Sequence, residues 1–169
     1  WLNGVYIRSL SDDELADRII EHAKSNGKWE PMHEGHEDVV RAATPIIKER
    51  LVTLDEALEK IRFLFITNEE LTFDETAVSK LKENAGEVVE SAISVLDTID
   101  DWTTENIEAA LREDLVGKLG IKPRFAFNPV RLGTSGQQVS PPLFESLDIL
   151  GKDESLARLK KFAAFLSER

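Results

Sequence analysis

Helix-start patterns recur along this 169-residue chain, and they constrain its fold more than any other feature. Ser11-Asp12-Asp13-Glu14 carries the serine and glutamate of a capping box, in which each side chain bonds the other residue's backbone N–H. Thr53-Leu54-Asp55-Glu56 repeats that pattern, while Asp74 and Asp153 precede apolar residues at helical spacing. No segment shows the sustained period-two alternation of a half-buried strand. The sequence therefore predicts an all-α fold.

The length of the chain permits two small helical bundles. The boundary is predicted near Thr67-Asn68, which gives one helical unit over residues 1–66 and a second over 67–169. In the first unit, a helix is expected from about Glu37 to Lys48. Pro45 lies inside it and implies a kink or a break, because proline lacks the N–H that the helix ladder needs.

Composition excludes several classes of protein. With 41% hydrophobic and 31% charged residues, the chain has the balance of a soluble globular protein. There is no cysteine, so disulfides, thiol nucleophiles and zinc–thiolate sites are excluded. No apolar run approaches the roughly 20 residues that cross a bilayer, so we expect no membrane partner and a cytoplasmic location. The chain begins at Trp1 and is expected to be part of a longer protein.

Charge is distributed unevenly. The net charge is −11, which by itself argues against binding to nucleic-acid phosphates. Residues 115–144 contain no Asp or Glu, yet they hold four of the 21 basic residues, Lys118, Lys122, Arg124 and Arg131. Such a segment is either a surface for a negatively charged partner or a partly buried stretch of low charge density, and composition does not separate the two.

The local structure of this acid-free segment is predicted to be loop-rich, with at most short helices. Prolines and glycines interrupt it repeatedly, at Pro123, Pro129, Gly133, Gly136, Pro141 and Pro142. Ser140-Pro141 has the pattern of an N-cap followed by proline at the first helical position. Arg124 and Arg131 lie among Phe125, Phe127, Pro129 and Leu132, an arrangement that suits unpaired RNA bases, although at least one of the phenylalanines is expected in the core.

Catalytic patterns are weak. His33 and His36, with Glu34 and Glu37, form a possible metal-binding cluster, but in a Gly/Pro-flanked segment a solvated loop is the better interpretation. Gly133-Thr134-Ser135-Gly136 lacks the spacing and the lysine of a nucleotide-phosphate loop. We therefore predict no catalytic residue and no metal site in this chain.

Three separated segments resemble bacterial glutamyl-tRNA synthetases. Trp1-Leu2-Asn3-Gly4-Val5-Tyr6-Ile7-Arg8 is similar to that family's W-[LM]-N-G-x-Y-I-R segment, and Lys48-Glu49-Arg50-Leu51-Val52-Thr53-Leu54-Asp55-Glu56 to the helix pair that opens its anticodon-binding region. Pro141-Pro142-Leu143-Phe144-Glu145, followed by Leu150-Gly151-Lys152 and Ala157-Arg158-Leu159, resembles its C-terminal signature. The matches occur in the family's order and cover the whole chain.

This resemblance implies the anticodon-binding region of a class I synthetase, built from helical bundles, in an enzyme that joins glutamate to its tRNA with ATP and magnesium. The catalytic domain would lie upstream, so no cofactor is expected within this chain. The partner would be the glutamate tRNA, with glutamine tRNA left open, and the protein is expected to be monomeric.

The same resemblance assigns anticodon contacts to five positions: Arg50, Arg131, Ser140, Pro141 and Leu143. Lys118, Lys122 and Arg124 are assigned to general attraction of phosphate. After Arg131 the family usually continues with aliphatic residues, whereas this chain has Leu132-Gly133-Thr134-Ser135-Gly136, so the helix that carries Arg131 is expected to be weaker. Arg50 is the residue type expected of enzymes that reject glutamine tRNA.

Two other functions compete with RNA binding. The net charge of −11 and the acidic helix faces would suit a module that binds a basic protein. His33 and His36 would instead suit a metal-dependent enzyme.

Overall fold

A computed structural model describes residues 4–28 and 35–169, and throughout these ranges the chain is helical with no strand. The all-α prediction is confirmed. The chain divides into two compact units, Trp1–Phe65 and Ile66–Arg169. No helix among the described residues is long and apolar enough to cross a membrane.

The described residues of the first unit form four helices: α1 (Gly4–Ser9), α2 (Asp12–Ser25), α3 (His36–Ile47) and α4 (Asp55–Ile61). Single 3₁₀ turns follow α3, at Lys48–Arg50, and α4, at Arg62–Leu64. Their apolar faces supply the buried side chains of the unit, among them Ile7, Leu15, Ile19, Val40, Ile47, Leu51, Ala57 and Ile61.

Two helix starts in this unit show how far local patterns reach. Ser11 and Glu14 form the predicted capping box. The second box is wrong, because Leu54 already has helical backbone angles and occupies the N-cap position, so Thr53 makes no capping bond. Of the kink or break predicted at Pro45, the break does not occur: α3 continues through Pro45 to Ile47, and the 3₁₀ turn begins at the next residue.

The second unit contains α5 (Glu75–Ser79), α6 (Ala85–Asp97), α7 (Thr104–Leu111), α8 (Pro123–Ser135), α9 (Leu143–Leu150) and α10 (Lys152–Ser167). A π-helical turn, Arg112–Lys118, extends α7. Helices α6, α8 and α10 pack on one another, and α7 packs against α9. One continuous core joins them, including Val89, Leu96, Ile107, Leu111, Val130, Leu147, Leu159 and Phe162.

Of the N-caps predicted in the second unit, one is confirmed and two are wrong. Asp74 accepts hydrogen bonds from the backbone N–H groups of Thr76 and Ala77, as an N-cap does. Asp153 is not a cap, because α10 begins one residue earlier and Gly151 stands at the N-cap position. Ser140 is not a cap either: α9 begins at Leu143, behind Pro142, and the Ser140 hydroxyl has another partner, described below.

Candidate nucleic-acid interface

The largest correction concerns the acid-free segment, which holds a 13-residue helix, α8, instead of a loop. Pro123 is the first residue of that helix, where a missing N–H costs nothing. Pro129 lies inside and removes one ladder bond, but its side of the helix is buried. The helix ends at Gly136, whose φ of +75° forms a left-handed C-cap with its N–H bonded to Leu132 O at 2.8 Å. Tertiary packing therefore overrides weak local propensity.

Arg131, near the end of α8, is tied to the chain that leads into α9. Its Nη1 donates to Ser140 Oγ at 2.7 Å, to Pro141 O at 2.7 Å and to Ser140 O at 3.1 Å. The Ser140 hydroxyl in turn donates to Pro141 O at 3.2 Å. These bonds fix the direction of the half-buried guanidinium and hold residues 140–141 beside the helix. The structure thus places three of the predicted site residues in direct contact.

One face of α8 is polar and accessible. Arg124, Asn128 and Arg131 follow one another at i, i+4 and i+7, so they share this face, with the two arginines about 10 Å apart along the axis. Arg124 is exposed, while Asn128 and Arg131 are half-buried. Within the described part of the chain, Arg124 takes part in no ion pair. We call these three residues the α8 face.

The two phenylalanines of α8 have different surroundings. Phe125 keeps 39% of its surface exposed, and Lys82 Nζ lies 5.0 Å from the centre of its ring. Phe127 packs edge-to-face against Phe144 at 5.3 Å, under the guanidinium of Arg112. The expectation that at least one phenylalanine is a core residue therefore holds for Phe127, which leans on the hydrophobic core, while Phe125 faces solvent.

The remaining predicted residues of the second unit have unequal access. Leu143 is a core residue with 4% exposure, and Pro141 is also buried, so neither offers much surface to a ligand. Lys118 lies 3.6 Å from a Glu113 oxygen and 3.8 Å from an Asp114 oxygen, which lessens its pull on phosphate. Lys122 is exposed and stands at the N-cap position of α8.

Arg50 belongs to the first unit. It ends the 3₁₀ turn after α3, is exposed, and makes no hydrogen bond or ion pair with any residue the structure describes. Its joint action with Arg131 and Ser140 stays a prediction, as do the roles given to the two units.

The metal-site alternative finds little support. His33 and Glu34 lie outside the described residues, while Glu37 accepts a hydrogen bond from Lys24 at 2.5 Å and the His36 ring packs edge-on against Phe65 at 5.0 Å. In the described ranges, no group of three or more His, Asp or Glu side chains is arranged to hold a metal ion.

Lys80 and Lys82 were not among the predicted residues, although they lie opposite α8 across a groove that Arg124, Phe125 and Asn128 also line. They follow α5, far from α8 in sequence. No local pattern marks them, because the contact depends on how the helices pack.

Comparison with known proteins decides the family. The model of the anticodon binding domain matches residues 14–163, most of the chain and both of its units. The chain belongs to the anticodon-binding domain family.

Curated relatives of this anticodon-binding domain are glutamate–tRNA ligases. That of Cutibacterium acnes is 42% identical over the whole chain, and that of Acidothermus cellulolyticus is 45% identical over 97% of it. The chain spans about a third of the length of these relatives, 35% and 33% respectively.

Solved structures share the fold. A glutamate tRNA ligase from Elizabethkingia meningosepticum, crystallised in complex with its amino acid, superposes on 97% of this chain with a TM-score of 0.82 and 19% identity, over 31% of its own length. The glutamate–tRNA synthetase of Elizabethkingia anophelis gives a TM-score of 0.78 at 20% identity, covering 96% of this chain and 30% of that one.

Proposed function

We propose that this anticodon-binding domain reads the anticodon loop of a glutamate tRNA, as part of a glutamate–tRNA ligase. The observation that carries the proposal is the Arg131 cluster, in which a guanidinium, a hydroxyl and two carbonyls lie within hydrogen-bonding distance of one another. Hydrogen bonds to base edges discriminate one base from another, and a donor that is already oriented loses less entropy when the base arrives.

Arginine suits this task for a chemical reason. Its planar fork of N–H donors matches the paired acceptors of an unstacked base or a phosphate, which the point charge of lysine does not. In the proposed complex, Arg131 and Ser140 contact one base, and the buried Pro141 and Leu143 support that contact from the start of α9. Arg50, in the first unit, is proposed as a separate anticodon contact. Lys122 and Arg124 attract the phosphates, with a smaller contribution from Lys118.

The ATP and magnesium that the ligase reaction needs are assigned to a region outside these 169 residues. The only glycine-flanked Thr-Ser pair, Gly133-Thr134-Ser135-Gly136, is buried at the end of α8. Its hydroxyls donate to carbonyls of the same segment, Thr134 to Val130 O and Ser135 to Arg131 O. These residues do not fit a phosphate-binding loop. The ligase is proposed to be monomeric and to act in the cytoplasm.

The test is Arg131→Ala in a glutamate–tRNA ligase that contains this chain. The kcat/KM for glutamate tRNA should fall, and the fall should correspond to a loss of about 1–3 kcal/mol in binding free energy, because a directed base or phosphate contact is lost. Arg131→Lys keeps the charge without the fork and should recover only part of the loss. Arg169→Ala is the matched control, because it removes an exposed arginine that lies beyond the end of α10 and pairs with Glu75.

Two results would contradict the proposal. Charging by Arg131→Ala at the wild-type rate would remove Arg131 from the site. A basic protein that binds the chain with no competition from added tRNA would favour the acidic interaction module instead, an alternative that is based on the net charge of −11.

A further inference from the structure

A groove lies beside the α8 face and shares Arg124 and Asn128 with it. The segment after α5 forms one wall with Lys80 and Lys82, and α8 forms the other with Arg124, Phe125 and Asn128. Apolar side chains from both segments and the amide of Gln138 also line it. Asn128 belongs to both surfaces, since it lines the groove and lies between the two arginines of the α8 face. The groove and the Arg131 cluster are therefore neighbours on one helix.

The charges in this groove are unusual for so acidic a chain. Lys80, Lys82 and Arg124 line it together, and no carboxylate does. Within the part of the chain that the structure describes, none of the three forms an ion pair. Cations that face one another without carboxylates raise the local positive potential, which attracts phosphate.

A second cavity in the same unit provides a contrast. It lies between the α5–α6 region and α10, and Glu83 and Glu90 line it along with Lys82 and Arg169. Its charges have both signs and it has no aromatic lining residue. Unlike this cavity, the groove at α8 combines cations, amide side chains and an exposed aromatic ring.

The aromatic ring is Phe125, which keeps 39% of its surface exposed. The Lys82 side chain is exposed and flexible, and its Nζ lies over the ring, 5.0 Å from the ring centre. A cation–π contact at such a site is weak, so an arriving phosphate can draw the ammonium away from the ring. The ring face is then open to a nucleobase, and every base has a π-face to stack on it.

We propose that this groove binds an unpaired nucleotide of the RNA next to the bases read at Arg131. In this site Phe125 stacks on the base, Asn128 and Gln138 meet its polar edge, and Lys80, Lys82 and Arg124 hold the flanking phosphates. The inference depends on the proposed function for its RNA, and it adds a stacking subsite to it. An acidic peptide would use the same cations, but it would leave the exposed ring and the two amides without a purpose.

The experiment titrates the 169-residue chain into an RNA hairpin that copies the anticodon stem and loop of a glutamate tRNA, at low salt. A fluorescent adenine analogue replaces one loop base at a time, because its emission changes when it stacks on an aromatic ring. Phe125→Leu removes the ring and keeps the apolar volume, whereas Phe125→Tyr keeps the ring. Lys160→Ala, at an exposed lysine of α10 outside the groove, is the control for Lys82→Ala.

We expect Phe125→Leu to weaken binding by about 5- to 150-fold, the range for one lost base stack, and to abolish the fluorescence change at one loop position. Phe125→Tyr should bind as wild type does. Lys82→Ala should reduce the slope of log affinity against log salt by roughly 0.7, the value for one phosphate of a single strand, and Lys160→Ala should not.

The outcomes that overturn the inference are separable from failure of the proposed function. If Arg131→Ala weakens binding while Phe125→Leu does not, the stacking subsite is wrong and the anticodon proposal stands. If a polyglutamate peptide competes as well as the hairpin does, the groove is only an anion site. If the wild-type chain does not bind the hairpin at low salt, both proposals fail. A melting curve for Phe125→Leu that matches wild type ensures that weaker binding is not due to unfolding.

Discussion

The two faces of α8 differ in almost every property. The inner face is buried against α10 and the rest of the core, with Ala126 and Val130 fully covered. At Gly133 the packing is so close that an added Cβ would lie 2.8 Å from Phe162 Cδ1. The outer face carries Arg124, Asn128 and Arg131 and reaches solvent. The same 13 residues therefore serve as a core helix on one side and as a candidate RNA surface on the other.

This difference explains the missing acids within α8, the central part of the acid-free segment. On the inner face a carboxylate would be buried without a partner, which is costly in any fold. On the outer face a carboxylate would repel the phosphates that we propose to bind there. The two interpretations of the segment, buried and functional, are both needed, and each accounts for one face of α8.

The strongest test of the inner face is Arg158, a fully buried arginine of α10. It donates to Thr134 O at 2.9 Å, in the last turn of α8, to Ile66 O at 2.7 Å and to Glu154 Oε1 at 2.7 Å. Arg158→Met should lower the free energy of unfolding by about 3–5 kcal/mol, because buried carbonyls lose their donor. Native-state hydrogen exchange of α8 and α10 amides measures the loss in this unit alone.

The control for that variant is Lys160→Met, which changes an exposed residue of the same helix and should alter stability by less than about 0.5 kcal/mol. Equal protection in Arg158→Met and wild type would mean that Arg158 does not hold the end of α8, and the inner face would then depend on apolar packing alone.

A smaller effect is expected at Gly133, where two tendencies oppose each other. Alanine favours a helix over glycine by about 1 kcal/mol, but its Cβ would overlap Phe162 and come within 3.1 Å of Leu159 Cδ2, and overpacking of this kind costs about 1–3 kcal/mol. Gly133→Ala should therefore destabilise the second unit by about 1 kcal/mol, measured by the same hydrogen exchange.

Gly86 provides the matched comparison, since it lies in α6 and a Cβ there would meet nothing within 4 Å. Gly86→Ala should stabilise the unit by up to about 1 kcal/mol. If both alanines stabilise it, α8 and α10 are packed less tightly than the structure indicates.

Sequence patterns predicted the fold class and some helix starts, but not α8. Ser11 and Asp74 cap helices through bonds within a few residues, so their role is visible locally. Pro129 and Gly133 are poor helix residues, and only their burial against a distant helix makes α8 stable. Ser140 has the pattern of a cap, yet its hydroxyl bonds Arg131, a contact that no spacing rule contains.

The candidate site was predictable to a similar extent. Family resemblance named Arg131, Ser140 and Pro141, and the structure places them together. Lys80 and Lys82 could not be named, since they join Phe125 only through the packing of α5 and its following segment near α8. Arg50 lies in the other unit. Its predicted contact with the anticodon is based on family resemblance alone, and the packing within either unit does not test it.

The smallest change in stability is expected on the outer face. Arg124→Ala removes an exposed side chain at the second position of α8, so the free energy of unfolding should change by less than about 0.5 kcal/mol. Its effect should appear in RNA binding alone, where the slope of log affinity against log salt should fall by roughly 0.7 as one phosphate contact is lost. Arg124→Lys should keep the slope, because attraction to a phosphate needs the charge and not the fork. A loss of stability in Arg124→Ala comparable to that of Gly133→Ala would show that the two faces are not energetically separate, and weaker binding at α8 could then no longer be ascribed to direct contacts.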